Sequence, residues 1–456
     1  MEKISRQHPK EQDQVQRRSN FDPVEYNLTP EQAKLEASRC LNCKNPMCKK
    51  GCPVSVDIPE FIQAVKADNI KEAGKIIRKS NMLPSVCGRV CPQERQCESK
   101  CILGLKGESV AIGALERYVG DNSEAEKVDI VDNHKKVAII GSGCAGMSAA
   151  ADPRNAGFDV EIFEALHQFG GVLRYGIPSF RLPRTVLDRE INSLKDIGVK
   201  FHKNVVVGKS ITIKQLQDGG FEAIFICSGA GLPKMMNIKG ENLNGVYSAN
   251  EFLTRVNLMH AHKDDTPTPI KKGEVAIIIG GGNVAMDAAR VAVRAGYSEV
   301  HIAYRRTEAE LPARKEEIRH AKEEGIIFDF LMAPVEILGE NEVSSMKFEK
   351  MELGEPDESG RRSPVGTGEF IEVKTDAVIV ALGTGPNPII QRSLDDDKMP
   401  LELDRKGYIV IDESGSTSLS SIYAGGDVAP LGSSTAINAM GAGKRAAKTI
   451  IEKLGK

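Results

Sequence analysis

The 456-residue chain contains no tryptophan, and aromatic residues make up only 5% of it. It has no apolar run approaching the roughly 18 residues that a transmembrane helix needs, so no membrane span is expected. Lys+Arg number 61 against 63 Asp+Glu, a net charge of −2. That lack of basic excess argues against a nucleic-acid binder. The opening stretch MEKISRQHPKEQDQVQRRSN has no apolar segment of the kind a secretory signal requires, which predicts a cytoplasmic protein. In that compartment structural disulfides are an implausible use for ten cysteines. What remains is an ordinary globular composition, 41% hydrophobic and 27% charged, long enough for two to four domains.

Eight of the ten cysteines lie between Cys40 and Cys101. They form two runs: Cys40, Cys43, Cys48 and Cys52 followed by Pro53, then Cys87, Cys91 followed by Pro92, Cys97 and Cys101. Short spacings let one loop wrap a cubane, and proline often follows a ligating cysteine. The fourth cysteine of such a run commonly ligates the neighbouring cluster, so two four-iron clusters with exchanged ligands are the natural arithmetic. Two four-cysteine zinc sites are the alternative. Zinc leaves the Cys–Pro pairs and the glycine loops downstream unexplained.

Those loops come after a charged linker, DNSEAEKVDIVDNHKK. KVAII leads into Gly141-Ser-Gly143-Cys-Ala-Gly146, a small-residue helix, and VEIFE. The order strand, glycine turn, helix, strand is that of a dinucleotide site, with the helix N-terminus favouring a pyrophosphate. Glu164, 23 residues after Gly141, can accept hydrogen bonds from ribose hydroxyls and would repel a 2′-phosphate. The same order recurs at EVAIII, with Gly280, Gly282, Asn283, Val284 and Ala285 in the turn and first helical residues. Here the following strand ends in Tyr304-Arg305-Arg306 with no carboxylate. Two guanidinium groups suit a 2′-phosphate, so this loop is expected to prefer NADPH. Arg314 and Lys315 are weaker candidates nearby. The bland alternatives are a surface arginine pair and a surface carboxylate at a strand end. Pro153, within AAADPRNAG, predicts a short or bent first helix, because an interior proline costs about 3 kcal/mol or more. Cys144 reads as a packing residue.

Upstream, PEQAKLEASRCL and DIPEFIQAVKADNIKEAGKIIRKSN carry apolar residues at helical spacing, and Pro30 fits a helix start. Downstream, DAVIVALGTGPNP and SIYAGGDVAP read as strands ending in glycine turns, and AINAMGAGKRAAKTIIEKLG as a final helix.

Together the segments RCLNCKNPMCKKGCPV, LPSVCGRVCPQERQCESKC, AIGALERYVGD, KVAIIGSGCAG, GGVLRYGIPSFRLP, IIGGGNVAMDAAR, AYRRTEAELPARKEE and SIYAGGDVAP resemble the small (β) subunit of NADPH-dependent glutamate synthase over nearly the whole chain. The module is also similar to the large subunit of electron-bifurcating ferredoxin–NADP transhydrogenase and to the N-terminal half of dihydropyrimidine dehydrogenase. The resemblance implies an α/β fold: two Rossmann-like dinucleotide-binding domains, adrenodoxin-reductase-like, with the NADPH domain inserted in the FAD domain and an α-helical iron–sulfur domain in front. The corresponding boundaries are 1–125 for two 4Fe-4S clusters, 135–244 and 376–456 for FAD, and 245–375 for NADPH. It further implies crossed ligation: Cys40, Cys43, Cys48 and Cys101 on one cluster, Cys52, Cys91, Cys97 and Glu116 on the other, with Cys87 spare. For FAD it points to Glu164, Gly171, Leu173, Arg181, Gly426, Asp427 and Ala436. Cys144, where proline is common, and Pro153 depart from the family pattern.

The implied activity is hydride transfer from NADPH to FAD, with the rings about 3–3.5 Å apart, followed by one-electron transfer through the clusters. No side-chain acid or base is required at the hydride step. The implied partner is a large glutamate synthase subunit with FMN, since this chain begins Met-Glu rather than Met-Cys and has no room for an FMN barrel. A small flavoprotein subunit of a transhydrogenase is the alternative partner. A non-enzymatic iron–sulfur scaffold is a third reading, against which the intact second glycine loop speaks.

Overall fold

The apolar strand KVAII, flanked by a tight glycine turn, has the composition of a strand buried on both faces. In the computed structural model, which describes residues 4–126, 129–356, 362–431 and 434–455, it is the centre of a parallel sheet. Its strands are β1 (Lys136–Ile140), β2 (Asp159–Phe163), β3 (Lys200–His202), β4 (Phe221–Ile226) and β15 (Ile422–Ala424), in the order β15-β4-β1-β2-β3. After β4 the chain crosses through β5 (Leu232–Pro233) and builds a second parallel sheet. That sheet holds β6 (Val246–Ser248), β7 (Val275–Ile279), β8 (Glu299–Tyr304), β9 (Ile327–Phe330) and β13 (Ala377–Val380), ordered β6-β13-β7-β8-β9. An antiparallel meander, β10 (Met332–Leu338), β11 (Ser345–Pro356) and β12 (Arg362–Lys374), stands between β9 and β13. The return crossing, β14 (Thr384–Gly385), pairs antiparallel with β5, so the two connections between the sheets form one ribbon.

Among the described residues six α-helices precede the first sheet: α1 (Pro30–Ser38), α2 (Met47–Gly51), α3 (Ile58–Lys66), α4 (Ile70–Arg78), α5 (Pro84–Val90) and α6 (Ile112–Asn122). Thr29 and Gln32 form a capping box around Pro30, as the sequence suggests. The long stretch after Asp57 is two helices rather than one. Asp68 adopts a left-handed φ of 62°, and the Asn69 side chain then caps α4 by accepting from the Glu72 N–H. Phe61, Ile62, Ile77 and Leu115 are the buried heart of this module. Its last helix runs through Asn122, into residues that read as linker.

Around the first sheet lie α7 (Cys144–Asn155), α8 (Val172–Tyr175), α9 (Arg184–Asp196), α10 (Ile213–Asp218), α14 (Ile389–Asp396) and α15 (Ala436–Leu454). The second carries α11 (Ala249–Asn257), α12 (Asn283–Arg294) and α13 (Lys315–Glu323). Helix α7 is not cut short by Pro153, which falls in its final turn, where only the amide bond back to Ala149 is forfeited. Cys144 is buried in the core beside Ala145 and Met147.

Two expected boundaries shift. Ala377–Val380, assigned from the sequence to the returning FAD part, pairs with β6 and β7 in the second sheet. An apolar four-residue run fits the buried centre of either sheet, and the chain fills this slot before crossing back. Residues 11–24 leave the helical module altogether. Arg17 is fully buried against Glu323 (2.6 Å) and Glu324 (3.1 Å), and the Val24 N–H donates to the Phe180 carbonyl.

Candidate redox centres

Both glycine turns show the division of labour their spacing suggested. Gly141 has φ +114° and Gly280 φ +136°, which admit the sharp turn between strand and helix. A Cβ on Gly143 or Gly282 would meet nothing within 4 Å, leaving an open cradle at the head of α7 and of α12. A Cβ on Gly146 would sit 1.9 Å from the Gly141 carbonyl oxygen, and Ala285 fills the equivalent place fully buried. Bare backbone beside an aligned helix N-terminus is what a pyrophosphate needs, so both loops fit a dinucleotide.

Glu164 closes the first cradle from the end of β2. Its carboxylate accepts from the Ser142 N–H (3.0 Å), the Ser142 hydroxyl (2.6 Å) and the Leu166 N–H (2.9 Å). The Ser142 hydroxyl also accepts from the Gly170 N–H at 2.9 Å, which brings the glycine pair 170–171 against Gly143. Leu173 is a core side chain beneath this loop. Gly426 (φ +73°) abuts Ala145, and Ala436 opens α15. Burial raises the Asp427 pKa, partly offset by a hydrogen bond with Ser434. Burial pushes the Cys144 thiol up to about 12, assisted by the Asp427 charge, consistent with a packing role. Arg181 is turned elsewhere: its guanidinium donates to both Asp287 oxygens (2.7 and 2.6 Å) and lies 2.8 Å from Glu317, on α12 and α13.

At the second loop the two arginines differ. Arg305 is exposed and has no ion pair among the described residues. Arg306 is buried, and its Nε donates to the Arg362 carbonyl on the meander. Asn283 opens α12 and accepts the Arg314 N–H through Oδ1 (2.8 Å), while Val284 beside it is exposed. The Arg314 guanidinium reaches the helical module instead, donating to the Arg89 carbonyl (3.1 Å) and Gln93 Oε1 (2.9 Å). Arg95 answers from that module, donating to the Pro312 and Ala313 carbonyls at 2.8 Å each. Lys315 begins α13.

The cysteines separate into two groups. Cys40, Cys43, Cys48 and Cys101 line one pocket, open to the surface, whose wall includes Ile58, Ile62 and Val110. The side-chain amide nitrogen of Gln63 is buried beside Cys40, placed as a donor toward the sulfur there. Cys52, Cys91, Cys97 and Glu116 gather deeper, near enough that the charges of Glu116 and Cys91 bear on both Cys52 and Cys97. Burial pushes Cys48 and Cys52 up to about 11 and Glu116 up to about 7. Iron ligation would have to displace these protons. Glu116 accepts from the Asn81 side-chain amide at 2.7 Å. Cys87 lies by Cys91, with its sulfur 3.6 Å from Asn81 Oδ1 and 3.5 Å from Met440 Sδ on α15.

Two family models divide the chain between them. Residues 17–128 match dihydropyrimidine dehydrogenase domain II, 4Fe-4S cluster, and residues 135–443 match pyridine nucleotide-disulphide oxidoreductase. The glutamate synthase [NADPH] small chain of Halomonas elongata is 36% identical, over 99% of this chain and 97% of its own length. The chain belongs to the glutamate synthase small-chain family. It is an NADPH-dependent oxidoreductase with a 4Fe-4S domain and an FAD- and NADPH-binding domain. The NADP(+)-dependent formate dehydrogenase subunit beta of Moorella thermoacetica is 38% identical over 89% of this chain and 60% of its own. FprA from Mycobacterium tuberculosis in complex with NADPH shares the fold (TM-score 0.57, 23% identity, 71% of this chain and 85% of that one). Among the described residues of this family member, no helix is long and apolar enough to cross a membrane.

Three features of the site escape the sequence. Ser142 occupies a variable place in the glycine motif, yet fixes Glu164. Asn81 lies outside both cysteine runs. The acids Asp287 and Glu317, which hold Arg181, have only helical amphipathicity to mark them, and that pattern carries no sign of a partner more than 100 positions away.

Proposed function

We propose that the chain takes electrons from NADPH at the second glycine loop, holds FAD at the first, and passes single electrons through two four-iron clusters to a partner subunit. Bound FAD supplies the conversion from a two-electron hydride to one-electron steps. Gly141, Gly143, Gly146 and Glu164 hold the FAD adenosine and pyrophosphate, with Gly171, Gly426, Asp427 and Ala436 along the rest of the cofactor. Gly280, Gly282, Asn283 and Ala285 cradle NADPH, and the exposed Arg305 meets its 2′-phosphate. Cys40, Cys43, Cys48 and Cys101 hold one cluster; Cys52, Cys91, Cys97 and Glu116 hold the other. The observation that carries this reading is the pairing, in one chain, of two open cradles of opposite ribose chemistry with the four-cysteine pocket.

The partner is a large glutamate synthase subunit with FMN; that the Halomonas relative is named a small chain favours a larger partner. A second reading replaces that subunit by another redox subunit, such as the small flavoprotein of a transhydrogenase, and the Moorella relative, a beta subunit of a different oxidoreductase, favours it. Anaerobic purification with partners discriminates the two. Iron analysis should give about eight atoms per chain, and four would remove one cluster. Anaerobic NADPH should bleach the flavin absorbance; an unchanged spectrum refutes the electron-entry assignment.

A further inference from the structure

The two cysteine groups differ in what surrounds them. Cys87 and Cys91 belong to the same core as Cys144, Met440 and the first sheet, so the deep group borders the FAD domain. The pocket of Cys40, Cys43, Cys48 and Cys101 faces outward. Its rim is apolar to a degree that water does not favour: Leu41 is 61% exposed, Met47 48% and Ile102 54%. Leu105, in the turn that follows, is 81% exposed. Scattered exposed leucines need no explanation, but three large exposed apolar side chains on one pocket, with Leu105 three residues beyond the last of them, mark a contact surface.

Charge selects the occupant. Lys44, Lys50, Lys100 and Lys106 are exposed in the same segments, and none has an ion pair among the described residues. Lys49 is neutralised by Asp57. The exposed acids of these segments are Glu60 and Glu108, and Glu108 lies 3.7 Å from His8. The face is therefore net positive on a chain whose total charge is −2. An apolar pocket rim with Lys100 on it and further exposed lysines in the segments that form it is complementary to an apolar patch flanked by carboxylates.

We infer, on the strength of the electron-transfer role proposed above, that this face is the docking surface for an acidic one-electron redox protein or subunit whose own centre lies close to its surface. One electron crosses in each encounter: the cluster at this pocket is oxidised by one, the partner's centre is reduced by one, and no bond is made or broken. The lysines steer the approach and the exposed apolar side chains exclude water from the contact.

The test uses the anaerobically reconstituted full chain and two probes, an acidic plant-type [2Fe–2S] ferredoxin and a basic cytochrome c, with binding measured by calorimetry. The native chain should bind the ferredoxin, more weakly as salt rises, and should not bind the cytochrome. The variant K44E/K50E/K100E/K106E should lose at least about tenfold in ferredoxin affinity and gain cytochrome binding. The variant L41S/L105S should weaken ferredoxin binding while keeping its salt dependence. Unchanged affinity in the charge-reversed variant, salt-insensitive binding, or no ferredoxin binding by the native chain would overturn the assignment. Flavin bleaching by NADPH, followed in the same samples, reports separately on electron entry and should be unaltered in both variants.

Discussion

Glu324 is the residue whose loss the structure prices most clearly. It caps the C-terminus of α13, fully buried, and accepts from three arginines. Arg17 Nε lies at 3.1 Å, Arg290 Nη2 and Nε at 2.9 and 3.1 Å, and Arg294 Nη1 and Nη2 at 2.6 and 3.1 Å. Arg17 and Arg290 are themselves fully buried. Removing the carboxylate strands those charges, a change that costs about 3–5 kcal/mol in buried pairs. Titration gives a second route to the magnitude. Burial alone would raise the pKa of Glu324, but Arg290 and Arg294 more than offset it and hold the carboxyl at about 2 rather than 4.5. At about 1.4 kcal/mol per unit, that difference is about 3 kcal/mol of folding stability. Because the folded-state pKa is the lower one, the contribution is complete above about pH 5 and is lost as pH falls toward 2. Glu324→Ala should lower the calorimetric melting temperature at pH 7 by about 6–12 °C, taking 2–4 °C per kcal/mol. The gap between variant and native protein should narrow below pH 4. Glu324→Gln, which keeps the shape but not the charge, should fall between the two. A melting temperature within 1 °C of native, or a gap independent of pH, would refute the reasoning.

The two glycines of the first loop should fail in different ways. Gly143→Ala fills the open cradle and should cut FAD content while leaving the apo melting temperature unchanged; Gly146→Ala, pressed on the Gly141 carbonyl, should cost about 1–3 kcal/mol with or without FAD. Arg305→Ala should raise the KM for NADPH about 10–100-fold and leave that for NADH nearly unchanged, as loss of charge-assisted bonds to a 2′-phosphate requires; equal effects on both would refute the assignment. Arg306→Ala should instead act on stability, since its Nε supports the meander. Cys97→Ser should halve the iron content, whereas Cys87→Ser should leave it whole, and a cluster lost from the Cys87 variant would make that cysteine the ligand.

Legibility followed from how local each determinant was. The glycine turns could be read because backbone approach to an anion leaves few alternatives at three spaced positions. The place of Glu164 against the first loop followed, since its distance from that loop along a βαβ unit is fixed. The cysteine runs declared metal chemistry, but their division between two centres came from the family resemblance, and Cys87 stands near Cys91 and Glu116 in space. Long-range pairing was silent. Nothing in GIPSFRLP says that Arg181 will answer Asp287, or in LPARKEE that Arg314 will reach Gln93. Nor does AVIV state which of two parallel sheets it will enter.

The insertion of one nucleotide domain into the other orders events during synthesis. The second sheet is complete by Val380, whereas the first waits for β15 and for α15, which carries Ala436. Between β4 and its neighbour β15, 196 positions pass, from Ile226 to Ile422. At about 5–20 residues per second this is a delay of roughly 10–40 s. Throughout it the apolar edge of β4 lacks its neighbour and the first glycine loop lacks Gly426, which packs beside Ala145. A ribosome pausing late in this message therefore holds a chain whose second sheet has all its strands and whose first sheet still lacks its last strand and its last helix.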